Sequence, residues 1–175
     1  MTSQNAATTV ELRLPELLER LQQLPREQAV LSVYLDISPR RLDREALLLA
    51  YRDLVREMRD SLPAGDALAF DGAAARIEAY LTNRSEWRGQ SLAAFAPAQS
   101  DALYVGQLPR RAGDLAVWDT EPHTAPLLAI LDDEERVALV LFDSEHARLF
   151  TVFLGEIERR TEITDRVPPR QKTGG

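Results

Sequence analysis

The apolar positions of this chain change period along its length. Leu14, Leu17, Leu18, Leu21 and Leu24 recur at helical spacing after Pro15 and stop at Pro25, which predicts an amphipathic helix. Ala29 to Ile37 (AVLSVYLDI) is β-rich and ends at the breaker Ser38-Pro39, so it predicts a central strand. From Asp43 to Leu62 one stripe carries Leu47, Tyr51, Leu54, Val55, Met58 and Leu62, with charge on the other side, a long helix broken by Pro63 and Gly65. A shorter helix follows with Asp71 as N-cap and Ala74, Ile77, Tyr80 and Leu81 facing inward. Leu92 to Ala96, Ala102 to Leu108 and Leu115 to Trp118 read as three short strands whose turn-rich separators make them neighbours.

The densest pattern lies between Pro126 and Ile163. Pro126 to Glu135 is a short helix after Thr124, with proline in the first turn where a missing N–H costs nothing. Val137 to Phe142 (VALVLF) is unbroken in apolarity, as expected of a strand covered on both faces, and ends at Asp143. Ser144 to His146 supply a turn, and Ala147 to Leu154 returns as a second strand closed by Gly155. Ile157 to Thr164 then alternates weakly, which predicts a polar edge strand. Residues 1 to 11 are small and polar and are expected to fray. The fold class is therefore α/β, with a first domain over 1–120 and a second part over 121–175.

Composition narrows the chemistry. The 175 residues are 45% hydrophobic and 28% charged, ordinary for a soluble protein with a real core. No apolar run approaches a bilayer span and the N-terminus lacks a signal-peptide pattern, so a cytoplasmic protein without membrane contact is expected. Zero cysteines and two histidines exclude disulfides, thiolate nucleophiles and Cys-based zinc sites, and no cofactor or metal is implied. A net charge of −7 means that any RNA contact is local. Oligomeric state is not legible.

The order of these pieces resembles the archaeal and eukaryotic class I peptide-chain release factors, in particular their bacterial branch. The resemblance rests on VLSVYLDIS (Val30 to Ser38) before a long charged helix, on SLAAFAPA (Ser91 to Ala98), on EPHTAPLLAILDDEERVALVLFDSEHARLFTVFLGEI (Glu121 to Ile157), and on the tail RVPPRQKTGG (Arg166 to Gly175). It implies a release-factor-like N-terminal domain followed by the first strands of an RNase H-like middle domain. In that family a Gly-Gly-Gln loop promotes hydrolysis of peptidyl-tRNA in the ribosome. Gly174 and Gly175 match the glycine pair as catalytic-loop residues, and Arg166, Arg170 and Lys172 match its basic, RNA-binding approach.

Two departures matter. No Gln follows Gly175, so this chain alone is expected to be inactive in peptidyl-tRNA hydrolysis, and the parent reading frame is expected to continue into a Gln and an Arg-rich amphipathic helix. The Asn-Ile-Lys-Ser and Tyr-x-Cys-x-x-x-Phe motifs for stop-codon reading are absent. The corresponding turn is PAGDALAFDG (Pro63 to Gly72), which favours rescue of stalled ribosomes over codon reading. The implied partners are the ribosome, through rRNA and peptidyl-tRNA, and a translational GTPase.

Other readings stand beside this one. The terminal Gly-Gly also fits a plain tail or a modifier end, and the tail cations also fit a solvated segment. A non-catalytic ribosome-binding or protein-interaction module is the main competitor in function. Asp36 and Asp143, each ending an apolar strand, would suit a metal-dependent nuclease, with Asp132 to Glu135 as a further carboxylate source, although strand-end aspartates commonly cap turns. His123 reads as a residue at a helix start and His146 as a turn residue. Trp87 and Trp118 fit burial against helices or stacking on bases.

Overall fold

The computed structural model describes residues 8–39, 43–142, 146–153 and 156–164. It divides into two compact units, Met1–Leu131 and Asp132–Gly175. Elements run β1 (Thr8–Glu11), α1 (Leu14–Gln22), β2 (Val30–Asp36), α2 (Arg44–Asp60), α3 (Ala67–Asn83), β3 (Ser91–Pro97), β4 (Ala102–Leu108), β5 (Leu115–Asp119) and α4 (Ala125–Asp133), then β6 (Val137–Phe142), β7 (His146–Phe153) and β8 (Glu156–Thr164). The chain is α/β, and among the described residues no helix is long and apolar enough to cross a membrane.

The first unit is a five-stranded sheet of order β1-β4-β3-β2-β5. Strand β2 pairs antiparallel with β3 on one side (Val33↔Ala94) and with β5 on the other (Val33↔Ala116). It is buried from Val30 to Leu35, as a strand paired on both edges and covered on both faces must be. One face presents Leu31, Val33, Leu35, Leu92, Ala94 and Val105 to a core shared with Leu47 and Tyr51 of α2 and Phe70, Ala73, Ile77 and Leu81 of α3. The alanines of β3 leave room for this: small side chains on a central strand let two long helices lie close. Tyr51, fully buried, satisfies its hydroxyl by donating to the Ala74 carbonyl at 2.7 Å. Burial pushes its ionisation upward.

Helix α1 covers the other face with Leu14, Leu17, Leu18 and Leu21. It approaches β4 at Gly106, where a Cβ would meet the Leu17 Cδ2 at 2.7 Å. At the end of the loop before β3, Gly89 takes φ +84, and a Cβ there would lie 2.3 Å from the Leu108 carbonyl oxygen.

Four expectations are corrected by this structure. Residues 8–11, expected to fray, form β1, a parallel partner of β4 (Val10↔Tyr104). Helix α3 begins well before Asp71, with Asp66 at its N-cap, because Phe70 is fully buried in the core and draws the preceding turn into the helix. Asp71 is instead an exposed partner of Arg59 at 2.6 Å. Strands β3 and β4 are neighbours as expected, but β5 passes over to the far edge beside β2. The strand Val137–Phe142 pairs with β7 as expected, yet it is exposed rather than covered.

The two glycines generate a prediction, read by urea unfolding followed on Trp87 and Trp118, which both lie in the first unit. Gly89→Ala should cost about 2–3 kcal/mol, since backbone strain adds to a carbonyl that cannot move aside. Gly106→Ala should cost only about 1 kcal/mol, because the end of the Leu17 side chain can yield.

Candidate functional site

The second unit is a meander of order β6-β7-β8 that leads toward the basic tail. Both pairings are antiparallel, with Leu139 opposite Phe150 and Leu141 opposite Arg148, and in turn Phe150 opposite Arg160 and Arg148 opposite Glu162. Register shifts between Thr151 and Val152, the sign of a bulge, so Val152 faces Ile157. Because side chains alternate, one face carries Val137, Leu139 and Leu141 beside Phe150, with Arg148, Arg160 and Glu162 at the β8 side.

Arginines of this sheet are held by carboxylates and rings. Arg136 pairs with Glu158 at 3.0 Å and lies over the Phe153 ring at 4.3 Å. Arg148 donates to Glu162 at 3.0 Å, and Arg160 stands 3.9 Å from the same carboxylate while covering Phe150 at 5.8 Å. The hydrogen bond from Arg148, followed by its charge, holds the Glu162 carboxyl below the usual carboxylate range. The alternation of Glu and Arg along β8 is the signal by which sequence alone could have found this ladder.

Strand β8 ends at Thr164. The residues expected to act, Arg166, Arg170, Lys172, Gly174 and Gly175, lie outside the described residues, as does Asp143.

The other candidate residues that are described have structural partners or lie at the surface. Asp36 accepts from the Ser38 amide at 2.8 Å, a strand-end turn cap, and stands 3.9 Å from Arg111. Among the described residues no group of three or more His, Cys, Asp or Glu could hold a metal ion. Asp132 and Asp133 are exposed at the end of α4. Trp118 packs edge-on against Phe70 at 5.4 Å, and Trp87 against Tyr80 at 6.1 Å, so both tryptophans serve helix packing. His123 stands just before α4, its N–H donating to Ser32 Oγ at 3.0 Å and its carbonyl accepting from the Tyr34 hydroxyl at 2.6 Å.

Two predictions follow from the second sheet. Val140 and Phe142 are 52% and 82% exposed on β6, so the protein should enhance the fluorescence of a hydrophobic dye, and Val140→Lys with Phe142→Lys should remove most of that signal. For the ion pair, the folded-state pKa of Glu162 is depressed, so its contribution is present above the unfolded pKa and is lost as pH falls through the folded one. Carboxyl NMR titration should show Glu162 protonating below an ordinary glutamate, and Arg148→Gln should move it back up.

Comparison with known proteins gives a family match over the last third of the chain. Residues 122–175 match the model of bacterial archaeo-eukaryotic release factor family 10. No curated protein matches. Among solved structures, one described as an archaeal protein aligns with TM-score 0.54 and 14% identity, over 91% of this chain and 47% of that one. A second, archaeal translation termination factor aRF1, aligns with TM-score 0.49 and 16% identity, over 90% and 46%. The chain thus spans about half the length of the solved structures it matches.

Proposed function

Because residues 122–175 match the bacterial branch of the archaeo-eukaryotic release-factor family, we propose that this protein acts at the ribosome in translation termination or in rescue of stalled ribosomes. That match is the observation that carries the reading. In this proposal residues 1–120 are the release-factor-like N-terminal domain, and residues 121–175 open an RNase H-like middle domain. Its β6-β7-β8 meander leads to a loop that enters the peptidyl-transferase centre.

The chemistry assigned to the loop follows from its residue types. Gly174 and Gly175 let the backbone adopt conformations closed to other residues and come within contact of crowded RNA. Arg166, Arg170 and Lys172 neutralise rRNA phosphates on the way in, the local excess of positive charge that a chain of net −7 otherwise lacks. In the intact factor a Gln beyond the glycines would set its amide near the attacking water and the developing oxyanion of the peptidyl-tRNA ester. A translational GTPase is the further partner in this scheme. Without the two codon-reading motifs, rescue is the better fit than stop-codon recognition.

Sedimentation with ribosomes tests the reading. The protein should pellet with ribosomes at low salt and be released as salt rises. Replacing Arg166, Arg170 and Lys172 with Ala should weaken binding and flatten the salt slope by about 2–3 in log–log terms. No co-sedimentation at low salt would sink the proposal. The 175-residue chain should release no peptide from ribosome complexes, since no amide follows its glycines. Release above a blank would overturn the assignment of the Gln, and binding by the intact factor without release would favour the non-catalytic module.

A further inference from the structure

The bulge in the second sheet has an identifiable extra residue. Thr151 lies opposite Arg159 and Val152 opposite Ile157, so Glu158 is the residue of β8 with no opposite number on β7. Its carboxylate accepts from Arg136 Nε at 3.0 Å, and the same guanidinium lies 4.3 Å from the centre of the buried Phe153 ring. Arg136 stands one residue before β6, so the pair joins the two outer strands of the meander across β7.

The bulge reconciles two parts of β8 that disagree by one residue. At the hairpin end Phe153 pairs with Glu156, which leaves Leu154 and Gly155 between them, the length of the commonest hairpin loops. Continued without a bulge, that register would set Thr161 opposite Arg148 and Arg159 opposite Phe150. Further along, Arg148 is instead opposite Glu162 and bonded to it at 3.0 Å, and Phe150 is opposite Arg160, whose guanidinium is 5.8 Å from the ring centre. The regular register would turn Glu162 and Arg160 to the other face, opposite Ala147 and Leu149, and would dissolve this ladder. The two ends of one strand thus call for registers one residue apart, and Glu158 takes up the difference.

The difference reaches the end of the strand. β8 is the last described element and ends at Thr164, opposite His146. In the regular register Ile163 would stand opposite His146, and the strand would end about 3.4 Å further along with its faces exchanged.

We propose that Arg136 and Glu158 are positioning residues for the tail that follows β8: by holding the bulge they select the register, and with it the point and the face at which β8 hands on to residues 165–175. What the tail then meets rests on the ribosomal reading above. A reacting group has to be placed to within about 1 Å, so a slip of one residue is a large error. An exposed ion pair contributes little by itself, but here it has only to tip two registers of one strand against each other, and the Phe153 ring adds to it.

The test uses the full 175-residue chain, whose lack of cysteine allows one hydroxyl-radical probe to be attached through Gln171→Cys. Register is read by NMR, where cross-strand NOEs should link Arg148 to Glu162 in the parent chain. Arg136→Ala, and more mildly Glu158→Gln, should raise the share of the register that links Arg148 to Thr161 about tenfold. Thr161→Glu with Glu162→Thr, added to Arg136→Ala, moves the carboxylate to the place the regular register needs and should make that register the main one. On ribosomes these chains should sediment as the parent does, because the tail cations are unchanged, while the strongest rRNA cleavage by the probe moves or fades. Deleting Glu158 from the Arg136→Ala chain removes the mismatch itself, so the Arg148–Glu162 link and the parent cleavage pattern should both return. A merely structural loss at Arg136 would not be repaired by removing its partner. Absence of the Arg148–Glu162 link in the parent, one unchanged register in all the substituted chains, or unchanged cleavage by a chain whose register has moved overturns the positioning role. Failure of the parent to sediment at low salt removes the ribosomal reading instead, and the register measurements then decide the Arg136–Glu158 clamp alone.

Discussion

The first unit depends on how β2 satisfies its polar groups while wholly buried. Ser32 and Tyr34 are 0% exposed on the sheet face away from α2 and α3, and both find their partner in the backbone of His123. Either hydroxyl left without a partner would cost about 1–3 kcal/mol, a sizeable share of a domain's stability. The two bonds therefore fix where the chain must pass after β5, and with it the start of α4. Tyr34 is further locked edge-on against Phe95 at 5.9 Å and against the His123 ring at 6.4 Å. The residue that looked like a simple helix start is the point to which the middle of the sheet is tied.

Where local pattern and burial agree, the sequence was readable. The stripe of α1, the long α2 capped by Asp43 and the buried β2 all appear where their periods put them, and β6 pairs with β7 as its pattern says although it is exposed. Legibility failed where non-local pairing decides. Strand β1 is a polar run (TTVE) with no strand period, ordered by a parallel ladder to β4 far along the chain. The start of α3 was hidden by Gly65, Gly72 and two aspartates, local stop signals overruled by the burial of Phe70. Nothing in the length of the turns said that β5 would choose the edge beside β2.

Charge in the second sheet is largely neutralised within it. In the second sheet Arg136, Arg148 and Arg160 are offset by Glu158 and Glu162, so that surface offers little net attraction to a polyanion. In the proposed reading, affinity for RNA comes from the tail cations Arg166, Arg170 and Lys172 rather than from this sheet.

The parallel pairing of β1 with β4 has a consequence for synthesis. Strand β1 has its partner beginning at Ala102, and the second edge of β2 is filled only by Leu115–Asp119. At a translation rate of about 5–20 residues per second, β1 waits roughly 5–20 s for its partner to be polymerised. Helices α2 and α3 can form locally in that interval, but until the chain after them is made the sheet they cover lacks β3, β4 and β5. The sheet thus closes from the inside outward, and β1, made before the other strands of its sheet, is among the last to find its place.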